Sequence, residues 1–235
     1  MSRAEERSLP APPRVAGVLR VAAEDLYYHG VRLVPVNVVW GIALLVTAFT
    51  LTRSVLGFVA VIGMVPLTIG LMGMATIVVR ERTLVMSDFA RSIRTDFPAR
   101  FALGVAQLVL VAVAVLDLSV GLQVAGPIGP GLVVLALYTL LAAWIFGVVA
   151  WPIIMDPVRQ TESIRTRLRL AAALVVLHPV RMGILAFLLA TLLVISAILA
   201  AALITFAAAY AALVAAHFVL PAADRLEGRR PVTDD

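Results

Sequence analysis

The sequence predicts an all-α membrane protein with six transmembrane helices arranged as three hairpins. Composition is the first observation behind this: the 235 residues are 62% hydrophobic and only 14% charged, with a mean hydropathy of +1.04. Soluble domains run nearer half apolar and a quarter charged. The second is charge placement. All 19 basic residues are arginine, and 18 fall in four clusters, Arg3 to Arg32, Arg80 to Arg100, Arg159 to Arg181 and Arg225 to Arg230, with Arg53 alone outside them. The third is what separates the clusters: apolar runs that reach or exceed the roughly 20 residues a helix needs to cross the hydrocarbon. Strands of a membrane barrel would alternate with polar residues, and runs such as Leu132 to Leu137 and Leu185 to Leu189 do not.

Residues 1–14 are charged and proline-bearing and read as a flexible cytoplasmic N-terminal arm. They lack the short apolar core and small-residue site of a cleaved signal peptide. A single membrane domain follows over 15–223, with spans at about 33–51, 55–79, 101–121, 132–155, 182–201 and 203–221, and residues 224–235 form a cytoplasmic tail. The last two spans come from one run, Met182 to Ala223, which holds no charged residue. As a single helix it would extend about 63 Å, twice the hydrocarbon thickness. Both its flanks are rich in arginine, and cationic loops stay cytoplasmic. It therefore crosses twice, turning near Ala200 to Thr205. The expected outer loops agree: 52–54 carries one arginine, and 123–131, with its GPIGPG turn, carries none. Both termini are expected in the cytoplasm, and the protein in the inner (plasma) membrane.

Each inner cluster also reads as an amphipathic helix on the cytoplasmic surface. Val15, Val18, Leu19, Ala22 and Leu26 form the first apolar stripe, against Arg20, Glu24 and Asp25. Met86, Phe89, Ala90, Ile93 and Phe97 form the second, and Ile164, Leu168, Ala171 and Val175 the third. An apolar stripe opposed by a cationic face is the pattern of an interfacial helix. Asp156 followed by Pro157 supplies a cap and first-turn pair for the third. Where each surface helix meets its span the sequence reads HGVRL, FPARF and HPVRM. Gly30, Pro98 and Pro179 break direction there, and Arg32, Arg100 and Arg181 follow two residues later. The unit of surface helix, span, span thus occurs three times in one orientation, a possible pseudo-threefold repeat about the membrane normal.

The stretch VPLTIGLMGMATIVVRERTLVMSDFARSIRTDFPARF resembles the YesL-like family of bacterial integral membrane proteins. Pro66, Thr68 and Gly70 match that family's Pro-x-Thr-x-Gly-like element, Arg80 its basic span end, Asp88 and Phe89 its Asp-Phe pair, and Phe97 its later aromatic. LVPVNVVW, with Asn37 and Trp40, is similar to its first span. The resemblance covers the amino-terminal half and implies an accessory role, with carbohydrate uptake as the associated process and no catalytic residues to transfer.

Residue chemistry points the same way. The chain contains no HExxH, GxSxG, CxxC or phosphate-binding glycine loop, and no cysteine, so neither an enzyme nor a metal or other cofactor is expected. Arginine beside apolar spans is explained by topology rather than nucleic acid. The partners expected are anionic lipid headgroups and a membrane or cytoplasmic protein, a sugar transporter by the resemblance. Arg32, Arg100 and Arg181, backed by Arg91, Arg94, Arg165 and Arg169, are the candidates for those contacts. Asp117 and Arg53 are candidates for a structural ion pair toward the outer face. If the protein instead moves a small solute, Asn37, Thr68, Gln107 and Asp117 are the polar groups available to a path. His178 and His217 lack ligand partners in sequence and predict no metal site.

Overall fold

A computed structural model describes residues 15–54 and 56–229; the arm over 1–14 and the last residues of the tail lie outside the described residues. The described chain is helical: α1 (Val15–Leu51), α2 (Leu56–Glu81), α3 (Ser87–Arg94), α4 (Phe97–Gly121), α5 (Ile128–Met155), α6 (Ile164–Leu177), α7 (Pro179–Ile198), α8 (Ala200–Ala202) and α9 (Ala208–Leu226). A π-helical turn, Leu203–Ala207, joins the last two. Six helices are long and apolar enough to cross a membrane: α1, α2, α4, α5, α7 and the rod Ala200–Leu226. The final turn is tighter than expected. Leu199 alone leaves helical geometry between α7 and α8, and α9 runs on to Leu226, beyond the expected start of the tail.

The first surface segment is not a separate element, because α1 passes through Gly30 unbroken. A glycine inside a helix costs only about 1 kcal/mol. Pro98 and Pro179, which cannot continue a helix, instead sit in the first turns of new ones, α4 and α7. Yet α1 is not straight. Eighteen residues of straight helix separate Leu19 from Asn37 by about 27 Å. Ala209 N donates to Asn37 Oδ1 at 2.6 Å, and Tyr210 Oη donates to Leu19 O at 3.0 Å. One tyrosine, one peptide unit and one asparagine fall short of that distance even laid end to end. The helix therefore bends between these points, in the stretch holding Gly30 and Pro35; proline removes a helical hydrogen bond and crowds the preceding turn.

Packing follows a cyclic order. The second spans α2, α5 and α9 touch one another, while α1 touches α2 and α9, α4 touches α5 and α2, and α7 touches α9 and α5. The shorter segments obey the same order: α3 lies on α2, α6 lies on α5, and the N-terminal part of α1 reaches α9. Their apolar stripes face protein. Val18, Ala22, Ala171 and Leu174 are buried, and Phe89 and Ile93 pack on the core. Two glycines of α2 seat α3: a Cβ at Gly70 would fall 2.2 Å from the Phe89 ring, and one at Gly73 would fall 2.4 Å from Ser92. The six long helices differ in exposure, α9 being the most enclosed and α4 the least. Alanines of α9 (Ala208, Ala209, Ala211, Ala212, Ala215, Ala216) are what let its neighbours approach so closely.

Candidate functional site

Every long helix contributes to one partly open cavity of about 200 Å³: Trp40 from α1, Thr68 and Met72 from α2, Gln107 from α4, Trp144 and Trp151 from α5, Leu189 from α7 and Ala211 from α9. It holds all three tryptophans of the chain. Each indole N–H is satisfied within the protein, as a buried polar group requires. Trp40 Nε1 donates to Thr68 Oγ1 at 3.1 Å, Trp151 Nε1 to Gln107 Oε1 at 2.9 Å, and Trp144 Nε1 to Ala186 O at 2.9 Å. Thr68 in turn donates to Met64 O at 3.0 Å. Gln107 Nε2 makes only a long contact, 3.4 Å, to Ala143 O. Its position depends on Gly147, where a Cβ would fall 2.3 Å from Nε2.

Two grooves continue the cavity. One of about 460 Å³ runs between α1 and α4 over α2, from Trp40, Thr68 and Gln107 out to Thr47, Leu51 and Val61. Another of about 190 Å³ lies between α4 and α5, lined by Leu103, Ala106, Leu110, Phe146, Ala150 and Trp151. Apart from Thr47, Thr68, Gln107 and the indole edges, these surfaces are apolar. Concave apolar sites with a few placed polar groups are the usual form of a small-molecule site.

The C-terminal ends of α2, α5 and α9 meet in a buried ion network below the cavity. Arg80 forks onto two carboxylates, donating Nε and Nη2 to Asp156 at 3.0 and 2.6 Å, and Nη1 and Nη2 to Asp224 at 2.7 and 3.0 Å. Arg159 donates Nη1 to Asp156, Nη2 to Asp224 at 2.7 Å, and both Nη2 and Nε to Glu227 at 2.7 and 3.2 Å. Arg229 extends the network to Glu227 and Glu162. Burial alone would lower the Arg159 pKa; its hydrogen bonds to Glu227 and Asp224 and the charge of Asp156 outweigh that and hold it above the ordinary arginine value. Asp156 thus carries more than a cap. It does accept from Val158 N at 3.1 Å, but the turn it caps is the 3₁₀ segment Pro157–Arg159. The cap of α6 is Ser163, which accepts from Thr166 N at 3.2 Å.

The structure brings together some of the residues singled out from sequence and disperses others. Thr68 and Gln107 meet at the cavity. Asn37 does not: fully buried, it donates Nδ2 to Leu203 O at 3.0 Å and Ile204 O at 2.7 Å, bridging backbone groups of the π-helical turn. Asp117 lines none of these cavities and makes no ion pair with Arg53, whose guanidinium lies 5.0 Å from the Phe49 ring centroid. Arg32, Arg91, Arg94, Arg165, Arg169 and Arg181 are exposed, and Arg91 pairs with Asp88 at 3.2 Å. Arg100 differs from the other two junction arginines. It is 1% exposed and donates Nη1 to Ser92 O at 2.9 Å. His217 has a partner that sequence spacing concealed, Asp25 Oδ2 at 2.6 Å; among the described residues no group of three or more metal-ligating side chains forms.

Sequence reasoning missed the tryptophan cavity and the ion network. Trp144 and Trp151, seven residues apart on one helical face, were a signal for the first. Charged residues ending three second spans, at Arg80, Asp156 and Asp224, were a signal for the second. Trp40 meets Thr68, and Gly70 lies against the Phe89 ring. No protein-family model, no curated protein and no solved structure matches the chain.

Proposed function

We propose that this is a non-enzymatic accessory protein of the inner membrane that holds an apolar chain drawn from the bilayer. The observation that carries the reading is the tryptophan-lined cavity with its two grooves, whose polar groups are few and largely bonded internally. Such a lining suits a hydrocarbon chain and offers a sugar or an ion little to replace its water. The exposed arginines, at roughly 1 kcal/mol each near an anionic surface, would hold the same end of the protein against cytoplasmic headgroups. A protein partner, a sugar transporter by the family resemblance, would meet that cationic end. The cyclic packing order and the convergence of α2, α5 and α9 support a pseudo-threefold repeat of three hairpins, with α3 and α6 before the second and third, the N-terminal part of the continuous α1 in the equivalent place before the first, and all termini toward the cytoplasm.

A second reading, a small-solute transporter, draws on the meeting of Thr68 and Gln107 in a cavity lined by all six spans. The two readings separate in proteoliposomes. Lipids with brominated chains should quench the tryptophan emission of the protein, with Thr68→Val and Gln107→Leu still quenched and solute flux at the protein-free level. Flux well above that level, lost in either variant, would replace the accessory reading with the transporter.

A further inference from the structure

One hydrogen-bond donor in the tryptophan cavity is left over. Gln107 and Trp151 are the two residues that line the cavity and both of its grooves, and they are bonded to each other, Trp151 Nε1 donating to Gln107 Oε1 at 2.9 Å. An indole nitrogen can only donate, so it fixes which way the amide faces: Oε1 toward Trp151 and the NH2 group away from it. That NH2 group has two hydrogens to place. Among the described residues its only acceptor is Ala143 O at 3.4 Å, longer than the usual N–H···O separation of about 3 Å. One hydrogen at most is engaged there. The other polar side chains of the cavity lining donate elsewhere: Trp40 to Thr68, Thr68 to Met64 O, and Trp144 to Ala186 O.

Space for a partner lies beside it. Nε2 occupies the place that a side chain at position 147 would take, 2.3 Å from where a Gly147 Cβ would fall. Gly147 lines the cavity between Trp144 and Trp151, about one helical turn from each along α5. The NH2 group therefore stands at the wall of the 200 Å³ space that the three indoles line. No ionisable side chain is among the described residues that line the cavity or its grooves, so nothing there would offset the charge of an ion. The spare N–H calls for a neutral acceptor. Depth narrows the class further. Gln107 is the eleventh of the 25 residues of α4, near the middle of the span. Phospholipid ester groups lie in the interfacial region, roughly 15 Å from the midplane of a hydrocarbon core about 30 Å thick. We infer that the cavity is a site for a neutral ketone or quinone with an apolar tail, its carbonyl oxygen accepting from Gln107 Nε2 and its tail lying in the adjoining grooves. The inference rests on the chain-binding reading above and adds one carbonyl group to what is bound.

The test uses the full chain in mild detergent, with tryptophan quenching by two probes of dodecyl length, an ω-bromo methyl ketone and a bromoalkane. The ketone should half-saturate at a mole fraction in the detergent about fivefold lower, the effect of one net hydrogen bond. Its carbonyl stretch, read by infrared difference spectroscopy, should move to lower frequency on binding. Gln107→Met, similar in volume but without the N–H, should bring the ketone curve onto the alkane curve and remove the frequency shift, while the alkane still quenches. Gly147→Ala, whose Cβ would displace Nε2, should lose the preference with the glutamine still present. Equal half-saturation of the two probes by the wild type, or an unaltered preference in Gln107→Met, would overturn the carbonyl site while leaving chain binding in place. An unshifted carbonyl band in the wild-type complex would overturn it without recourse to any variant. If neither probe quenches, the chain-binding reading itself falls.

Discussion

Asn37 shows how one polar side chain can hold two helices in register. A π-helical turn widens the backbone and disturbs its hydrogen-bond ladder, and the Asn37 amide reaches carbonyls of Leu203 and Ile204 and the Ala209 N–H together. Leucine fills a similar volume but strands those groups, and a buried unsatisfied donor or acceptor costs about 1–3 kcal/mol. Asn37→Leu should therefore lower stability by about 3 kcal/mol, measured by thermal or denaturant unfolding in detergent, whereas a pathway residue would change flux with little change in stability. Arg100 teaches the complementary lesson. Its sequence context, like that of Arg32 and Arg181, places it at a membrane junction, but only packing reveals that two of its donors go unused.

Helices dock here through small residues, and the glycines divide according to what stands opposite them. Gly73 lies under Ser92 of α3, so Gly73→Ala must push α3 away at a cost of about 1–3 kcal/mol. Gly30 has nothing within 4 Å of an added Cβ and helical geometry around it. Gly30→Ala should stabilise the protein by about 0.5–1 kcal/mol through reduced unfolded-state freedom. Comparing the two melting temperatures in the same detergent checks both directions at once. Loss of stability in Gly30→Ala would show that the α1 bend requires glycine at that position. Helical spacing in the sequence led to helices at α3 and α6; that Phe89 and Ile93 turn onto the core and Ala171 and Leu174 become buried was not legible, because periodicity marks a face without naming what covers it.

Across the whole molecule, the ion network ties the ends of three spans that lie far apart in sequence. Asp224 bridges Arg80 and Arg159, so Asp224→Asn leaves two buried guanidiniums short of charge and should cost about 3–5 kcal/mol. Adding Arg80→Met should return part of that loss, since the double change removes one of the stranded charges. A double-mutant cycle in unfolding free energy measures the recovery, and strict additivity would mean that the pair does not interact. The same three helices also line the tryptophan cavity.

The chain by itself determined the number and the approximate placement of the apolar helices, because lipid demands long uncharged segments whose backbone is satisfied internally. It also determined where charge gathers. Tertiary structure alone decided which charges are paired. Asp156 reads locally as a cap and Asp224 as the start of a tail, and each becomes a ligand of Arg80 only when α2, α5 and α9 converge. It alone decided the cavity as well, since Trp40, Gln107 and Trp151 come from three helices and meet through packing. Hydropathy is a property of one segment at a time, whereas a hydrogen bond across 144 residues of chain, such as that from Arg80 to Asp224, depends on the position of every helix between.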